Sequence, residues 1–415
     1  MTDDDAAHPA DAGPSAPSYP LPKDPARPLD PPPAYRALRA SDPITRVRAW
    51  DGSSPWLITR YEDARRAHLD RRLVADVKAP GYPHISASSR VRGEGVVPFP
   101  FTPPEQYAAR RALYLKEFHP GRVAELRPFV QRVTDERIDA MLAGKRPADL
   151  LRDLALPLAT QTVCELLGMS SADRDALHRL SRTVASRTAP AQEVARALTA
   201  LEAHFHALVA DRRDGRDGLI GRIVRDHVRT GELDEHDAAA DLMILFFAGH
   251  GPTAYMIAAG AVALLRHPRQ IGVLTGTDDE RAHAVAIHEL LRYVTVSHNA
   301  RQRVATESLE LGGQLIRAGE GVLIQTDSAN RDERRFPHPD RLDLGRAEAP
   351  RHLSLGLGRG HCVGHALAHL ELDVTFTTLF RRIPGLRLAT GLAEVPFIPD
   401  ENLLGVAELP ATWPG

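Results

Sequence analysis

The chain reads as mainly α-helical with a minor β region, folded as one large domain behind a Pro-rich tail. Three observations predict this. Residues 236–266 form a run that is nearly apolar all round, the pattern of a helix buried inside a domain. Helical periodicity recurs through 123–143, 148–168, 171–187, 191–213 and 217–229. Strand-like runs are short and confined to 44–59, 303–319 and the C-terminal stretch 384–413.

Composition sets the outer limits. A chain of 415 residues with 43% hydrophobic and 26% charged content has enough apolar material for a sizeable globular core. The net charge of 52 − 54 = −2 leaves no basic footprint for nucleic acid. Cys164 and Cys362 lie far apart and suggest no disulfide framework, which fits a reducing cytoplasm. The chain opens Met1-Thr2-Asp3-Asp4-Asp5, acidic where a signal peptide is basic. Residues 242–265 lack Asp, Glu, Lys and Arg, as a membrane span would. Gly249-His250-Gly251-Pro252-Thr253 interrupts that run, and its flanks carry no aromatic belt, so a buried soluble helix explains it better.

In order along the chain, residues 1–33 are rich in Asp, Ala and Pro and read as a disordered or surface-hugging tail, with the domain spanning 34–415. Residues 44–59, split by Asp51-Gly52, read as a β-hairpin. A helix starts at Tyr61, and the aperiodic stretch 79–102 suits a lid or binding loop. Pro103-Pro104-Glu105 opens the next helix, carrying Gln106, Arg110 and Arg111. Cys164 sits on an apolar helix face and reads as core. At about 1.5 Å per residue the 236–266 helix runs about 45 Å. Pro252 has no N–H, so the carbonyl of Ala248 loses its partner and a kink is expected there. With small residues at 248, 249 and 251, the kink leaves a notch for ligand or water.

The chemistry gathers at His352-Leu353-Ser354-Leu355-Gly356-Leu357-Gly358-Arg359-Gly360-His361-Cys362-Val363-Gly364. Its glycines permit tight positive-φ turns and expose amide groups. A helix follows, which places Cys362 at a positive dipole end that lowers a thiol pKa, and Gly364 leaves room for a flat ligand. A lone cysteine is often a small buried hydrophobe. Zinc is a second alternative, because His361, Cys362, His365 and His369 cluster in sequence.

Gly-x-Gly-x-x-x-Cys-x-Gly opening a helix resembles the heme-binding loop of the cytochromes P-450, the heme-thiolate monooxygenases. The resemblance extends to Glu289-x-x-Arg292, to Ala329-Asn330-Arg331-Asp332 and to Ala248-Gly249-His250, and covers nearly everything after the tail. It implies the single-domain triangular-prism fold, heme b (iron protoporphyrin IX) and a small-molecule substrate. Cys362 is then the axial ligand. Arg110 and Arg303 stand where the family binds propionates, and Gln106 replaces a propionate-binding His with an amide. Glu289 and Arg292 form a buried brace, with Arg341 as the candidate third member. Val296, His298 and Asn299 border the substrate pocket, as does Leu403 from the terminal turn.

Beyond Gln106, this chain departs from the family pattern at three further places. Leu355 replaces the Phe beside the thiolate. Gly360 stands where a propionate-binding side chain is expected, leaving Arg359 or His361 to substitute. Gly251 and Pro252 replace the acid and alcohol that deliver protons, help typically worth about 10²–10⁴-fold. Thr253 or His250 then takes over, the substrate supplies protons, or peroxide is used. Oxidative C–C, C–O or C–N coupling of an aromatic or cyclic-peptide-like natural product fits best. Ordinary hydroxylation is the alternative, and a catalytically silent heme sensor or carrier is another. No flavin or iron–sulfur motif is present, so electrons are expected from a ferredoxin and its reductase, docking on the cysteine side.

Overall fold

The computed structural model describes residues 16–91, 93, 95–170, 174–186, 189–211, 218–398 and 403–414. Residues 1–15 of the expected tail lie outside these, as do 171–173, 187, 212–213 and 217 at the ends of three expected helices.

The body is helical, built around Glu235–Arg266. Asp234 starts this helix by accepting from the amides of His236 at 2.8 Å and Asp237 at 3.4 Å, which satisfies two of its orphan donors. The helix runs unbroken through Pro252 and is packed by Leu156–Leu167, Ala191–Asp211, Glu280–Val294 and His365–Arg382. Two glycines set how closely its neighbours approach. A Cβ on Gly249 would lie 2.8 Å from Val163 Cγ2, and one on Gly260 would lie 2.6 Å from Phe376 Cζ. Its length and composition would let it cross a membrane, but most of its residues are enclosed by protein.

The expected helices are present with adjusted bounds. The 148–168 segment begins with a short strand, Ala148–Asp149, and a π-helical turn, Leu150–Ala155. Asp149 forces that start by capping the amides of Leu151 and Arg152. Cys164 is buried, as its helical face requires.

The β region is a five-stranded sheet in the order Ile44–Arg46, Trp56–Ile58, Gly321–Ile324, Arg301–Ala305, Leu73–Val74. The first two strands form the expected hairpin, pairing Thr45 with Leu57. The third, parallel to the second, escapes a reading by sequence because Gly321–Ile324 is a short run buried along its whole length, with no alternation. Leu309–Leu311 and Gln314–Ile316 make a separate hairpin. Arg301–Ala305 pairs with Gly321–Ile324 and Leu73–Val74, and its alternate residues Arg301 and Arg303 are two of the site's cations.

Residues 16–33 are not the loose tail that their composition suggests. Tyr19, Leu21 and Leu29 are buried. Tyr19 Oη donates to Gln325 Oε1 at 3.3 Å and accepts from the Ala300 amide at 2.9 Å. Asp30 pairs with Arg331 at 3.1 Å. Proline content favours extended chain, and three large apolar side chains are enough to hold that chain down.

Candidate functional site

Loop geometry sets where Cys362 sits. Gly356 and Gly358 have φ of 73° and 61°, and a Cβ on Gly356 would lie 2.6 Å from the carbonyl oxygen of Gly360. The Cys362 amide donates to the Leu355 carbonyl at 2.8 Å, closing the loop. Gly360 does not take a positive φ; it is constrained by space, since its Cβ would lie 3.2 Å from Arg303 Nη2. Helix His365–Arg382 begins three residues after the cysteine, capped by Gly364. Burial pushes the Cys362 thiol up, against the Gly364 N–H and the Arg301 and Arg111 charges. This corrects the expected lowering: in the protein alone, desolvation outweighs a helix end that lies a turn away.

A hydrogen-bonded frame holds the loop from behind. Asn330 accepts from the Leu353 amide at 2.8 Å and donates to Ser354 Oγ at 2.8 Å and Thr295 Oγ1 at 2.9 Å. Ser354 Oγ donates to the Leu291 carbonyl at 2.7 Å. Arg292 donates to both Glu289 oxygens, at 2.6 and 2.8 Å, and to the Asn330 carbonyl at 2.8 Å. The second guanidinium on Glu289 is Arg346, 3.1 Å from both oxygens. That corrects the assignment to Arg341, which offers only its carbonyl to Arg346 and Arg292. Arg346 reaches the carboxylate because the chain turns back after 343, a path no local spacing announces.

Arg110 does not hold the propionate-binding place expected of it. Its guanidinium is buried on the central helix, donating to both Asp241 oxygens and to Asp237 Oδ1 at 3.0 Å. Two carboxylates one helical turn apart hold it more firmly than a distant anion could. Gln106 is exposed. The residue after Arg110, Arg111, reaches the cysteine loop and donates to the His361 carbonyl at 2.6 Å.

Arg303 donates to the Gln302 carbonyl at 2.7 Å and Arg301 to the Ser354 carbonyl at 3.4 Å. Burial lowers both guanidiniums, and no carboxylate is among the groups acting on them. His68, at the end of helix Tyr61–Leu69, faces the same two arginines, and among the described residues neither of its ring nitrogens has a hydrogen-bond partner. Such a set of buried donors fits a ligand bearing carboxylates. Sequence reasoning missed Arg301 and His68, since a basic strand residue and a helical histidine carry no motif. Arg359 turns outward to the Arg71 carbonyl at 3.4 Å, and His361 meets His365 edge to face at 4.7 Å between ring centroids.

The zinc alternative fails on geometry. His365 Nδ1 donates to the Cys362 carbonyl at 3.1 Å, and His369 faces His288 at 4.3 Å. Among the described residues no three His, Cys, Asp or Glu side chains are placed to hold a metal.

On the central helix, Ala248 is exposed and Gly249, Gly251 and Pro252 are half-buried, an open strip on an otherwise enclosed element. His250 and Thr253 are buried. His250 Nδ1–H donates to the Phe246 carbonyl at 2.9 Å, its ring 4.6 Å from that of Phe246. The terminal turn joins this strip: the Leu404 amide donates to the Val296 carbonyl at 2.7 Å, and Leu403 Cδ1 lies 3.9 Å from a Cβ built on Gly251. Leu355 packs half-buried on the main core. His298 turns to Asp327, 4.0 Å away, while Asn299 is half-buried.

Comparison with known proteins agrees with this geometry. The family model "Cytochrome P450" matches residues 284–384. Cytochrome P450 GfsF of Streptomyces halstedii is 39% identical over 414 residues, covering 100% of both chains. Pentalenic acid synthase of Streptomyces avermitilis is 38% identical over 395 residues, covering 95% of this chain and 97% of its own. The GfsF crystal structure superposes with a TM-score of 0.89 at 40% identity, covering 96% of this chain and 100% of that one. The structure of SgvP, described as a putative thioether synthase in griseoviridin tailoring, superposes with a TM-score of 0.90 at 31% identity, covering 96% and 100%.

Proposed function

Because the chain belongs to the cytochrome P450 family, heme-thiolate oxidoreductases of the monooxygenase type, we propose that it tailors a natural product by oxidative coupling, joining two centres of an aromatic or cyclic-peptide-like substrate. Heme, when bound, supplies dioxygen activation and one-electron oxidation of the substrate. Cys362 would supply the thiolate that holds it, and Arg301 and Arg303 would receive its carboxylates.

The observation that carries the coupling reading is the central helix at 251–252. Glycine and proline there hold no proton. The neighbouring His250 commits its Nδ1–H to the Phe246 carbonyl. A substrate carrying its own O–H or N–H groups meets this need. Val296 and Leu403 close the pocket beside that strip, and Pro252 and Thr253 shape it.

A second reading, plain hydroxylation, is favoured by two relatives. One is the 20-oxo-5-O-mycaminosyltylactone 23-monooxygenase of Streptomyces fradiae, 35% identical over 395 residues. The other is TxtC, described as carrying out sequential aliphatic and aromatic thaxtomin hydroxylation. Turnover with labelled dioxygen decides between them. Coupling removes two hydrogen atoms and adds no label; a product that gains one labelled oxygen atom overturns it. Electrons are proposed to come from a ferredoxin and its reductase in the cytoplasm, with docking on the Cys362 side.

A further inference from the structure

We propose that His68 is a binding residue for one heme propionate, filling in space the place left by the missing side chain at Gly360. This role rests on the heme site alone and holds whichever reaction the enzyme performs.

His68 stands out among the buried histidines. His250 and His283 each direct a ring nitrogen at a backbone carbonyl, at 2.9 and 3.1 Å. His68 is only 9% exposed, yet among the described residues both of its nitrogens lack a hydrogen-bond partner. A buried donor left unmade costs about 1–3 kcal/mol, so such a group calls for a ligand. The charges acting on it are those of Arg303 and Arg301, which with burial push the imidazole down to about 3. A carboxylate entering between them reverses all three penalties at once: it accepts from both guanidiniums and from the imidazole N–H.

The cysteine loop is shaped around this arrangement. Helix Tyr61–Leu69 ends against the turn at 358–360: a Cβ on Gly358 would lie 2.8 Å from Leu69 Cδ2 and 3.8 Å from the His68 carbonyl oxygen. A side chain at 360 would press on Arg303 Nη2 at 3.2 Å. The loop therefore leaves its share of the anion's coordination to the helix beside it.

The test is the rate at which purified holoenzyme yields hemin to excess apomyoglobin. His68→Leu is expected to lose hemin about tenfold faster, the loss of one hydrogen bond to a charged group, with His68→Gln, which keeps an N–H donor, close to wild type. Should the leucine variant not accumulate, His68→Phe makes the same comparison. Reconstitution with hemin dimethyl ester, whose propionates are capped, is the control: wild type and variants should then lose hemin at one common rate. An unchanged rate in His68→Leu overturns the proposal, and so does an acceleration that persists with the capped ester, which marks a packing role.

Discussion

Asp327 shows how far a single buried carboxyl departs from its behaviour in water. It accepts from Gln325 Nε2 at 2.5 Å and from the Ser328 amide at 2.7 Å, while its Oδ2 has no hydrogen-bond partner among the described residues. Burial pushes it up to about 6. An acid whose pKa is raised on folding binds more protons in the native state, so its contribution to stability falls as pH rises through the window between roughly 4 and 6. Asp327→Asn is expected to abolish that contribution, leaving the variant more stable than wild type above about pH 6, by up to about 3 kcal/mol. Thermal melts of both proteins across pH measure it; parallel profiles would refute it. At Cys362 the expectation is simpler. Cys362→Ala should lose the thiolate signature in the spectrum of the reduced, CO-treated protein, and an unaltered Soret band would remove the sulfur from the site.

At the scale of elements, the central helix carries two separable properties. One is close packing. Gly260→Ala drives a methyl into the ring of fully buried Phe376, and overpacking of this kind costs about 1–3 kcal/mol; denaturant unfolding should show it. The other is proton supply. Installing an acid and an alcohol through Gly251→Asp with Pro252→Thr should raise ferredoxin-driven formation of oxygenated product by about 10²-fold or more. No gain over wild type would show that proton delivery does not limit this enzyme. These elements were legible in the sequence to different degrees. The 236–266 helix announced itself through an apolar run longer than any strand or loop sustains, and the Cys362 loop through glycine spacing. Gly321–Ile324 did not, because a strand buried on both faces has no period to read. Arg110 was placed correctly on its helix and wrongly in its partner: spacing fixes a residue's position along a helix, whereas its partner depends on which acid tertiary packing brings near, here Asp241.

The whole molecule is held in register by Glu289. Helix Glu280–Val294, the 330–346 segment and the cysteine loop converge on its carboxylate through Arg292, Arg346 and Asn330. Removing one partner of a buried ion pair costs about 3–5 kcal/mol, since it strands the others. Glu289→Gln should therefore lower both stability and heme content, measured by denaturation midpoint and pigment per protein; a variant with wild-type values for both would show the brace to be dispensable. The pair Glu289 and Arg292 was visible as i, i+3 spacing. Its third member was not, because Arg346 becomes a neighbour only once the intervening chain has folded back.

The seating of Tyr19 between Gln325 and Ala300, with Asp30 on Arg331, has a practical consequence for handling the protein. An affinity tag fused ahead of residue 16 leaves these contacts in place. A truncated chain that starts at 34, where a helix first appears, would strip a strap from the sheet that carries Arg301 and Arg303, and so loosen the pigment from a site many residues away along the chain.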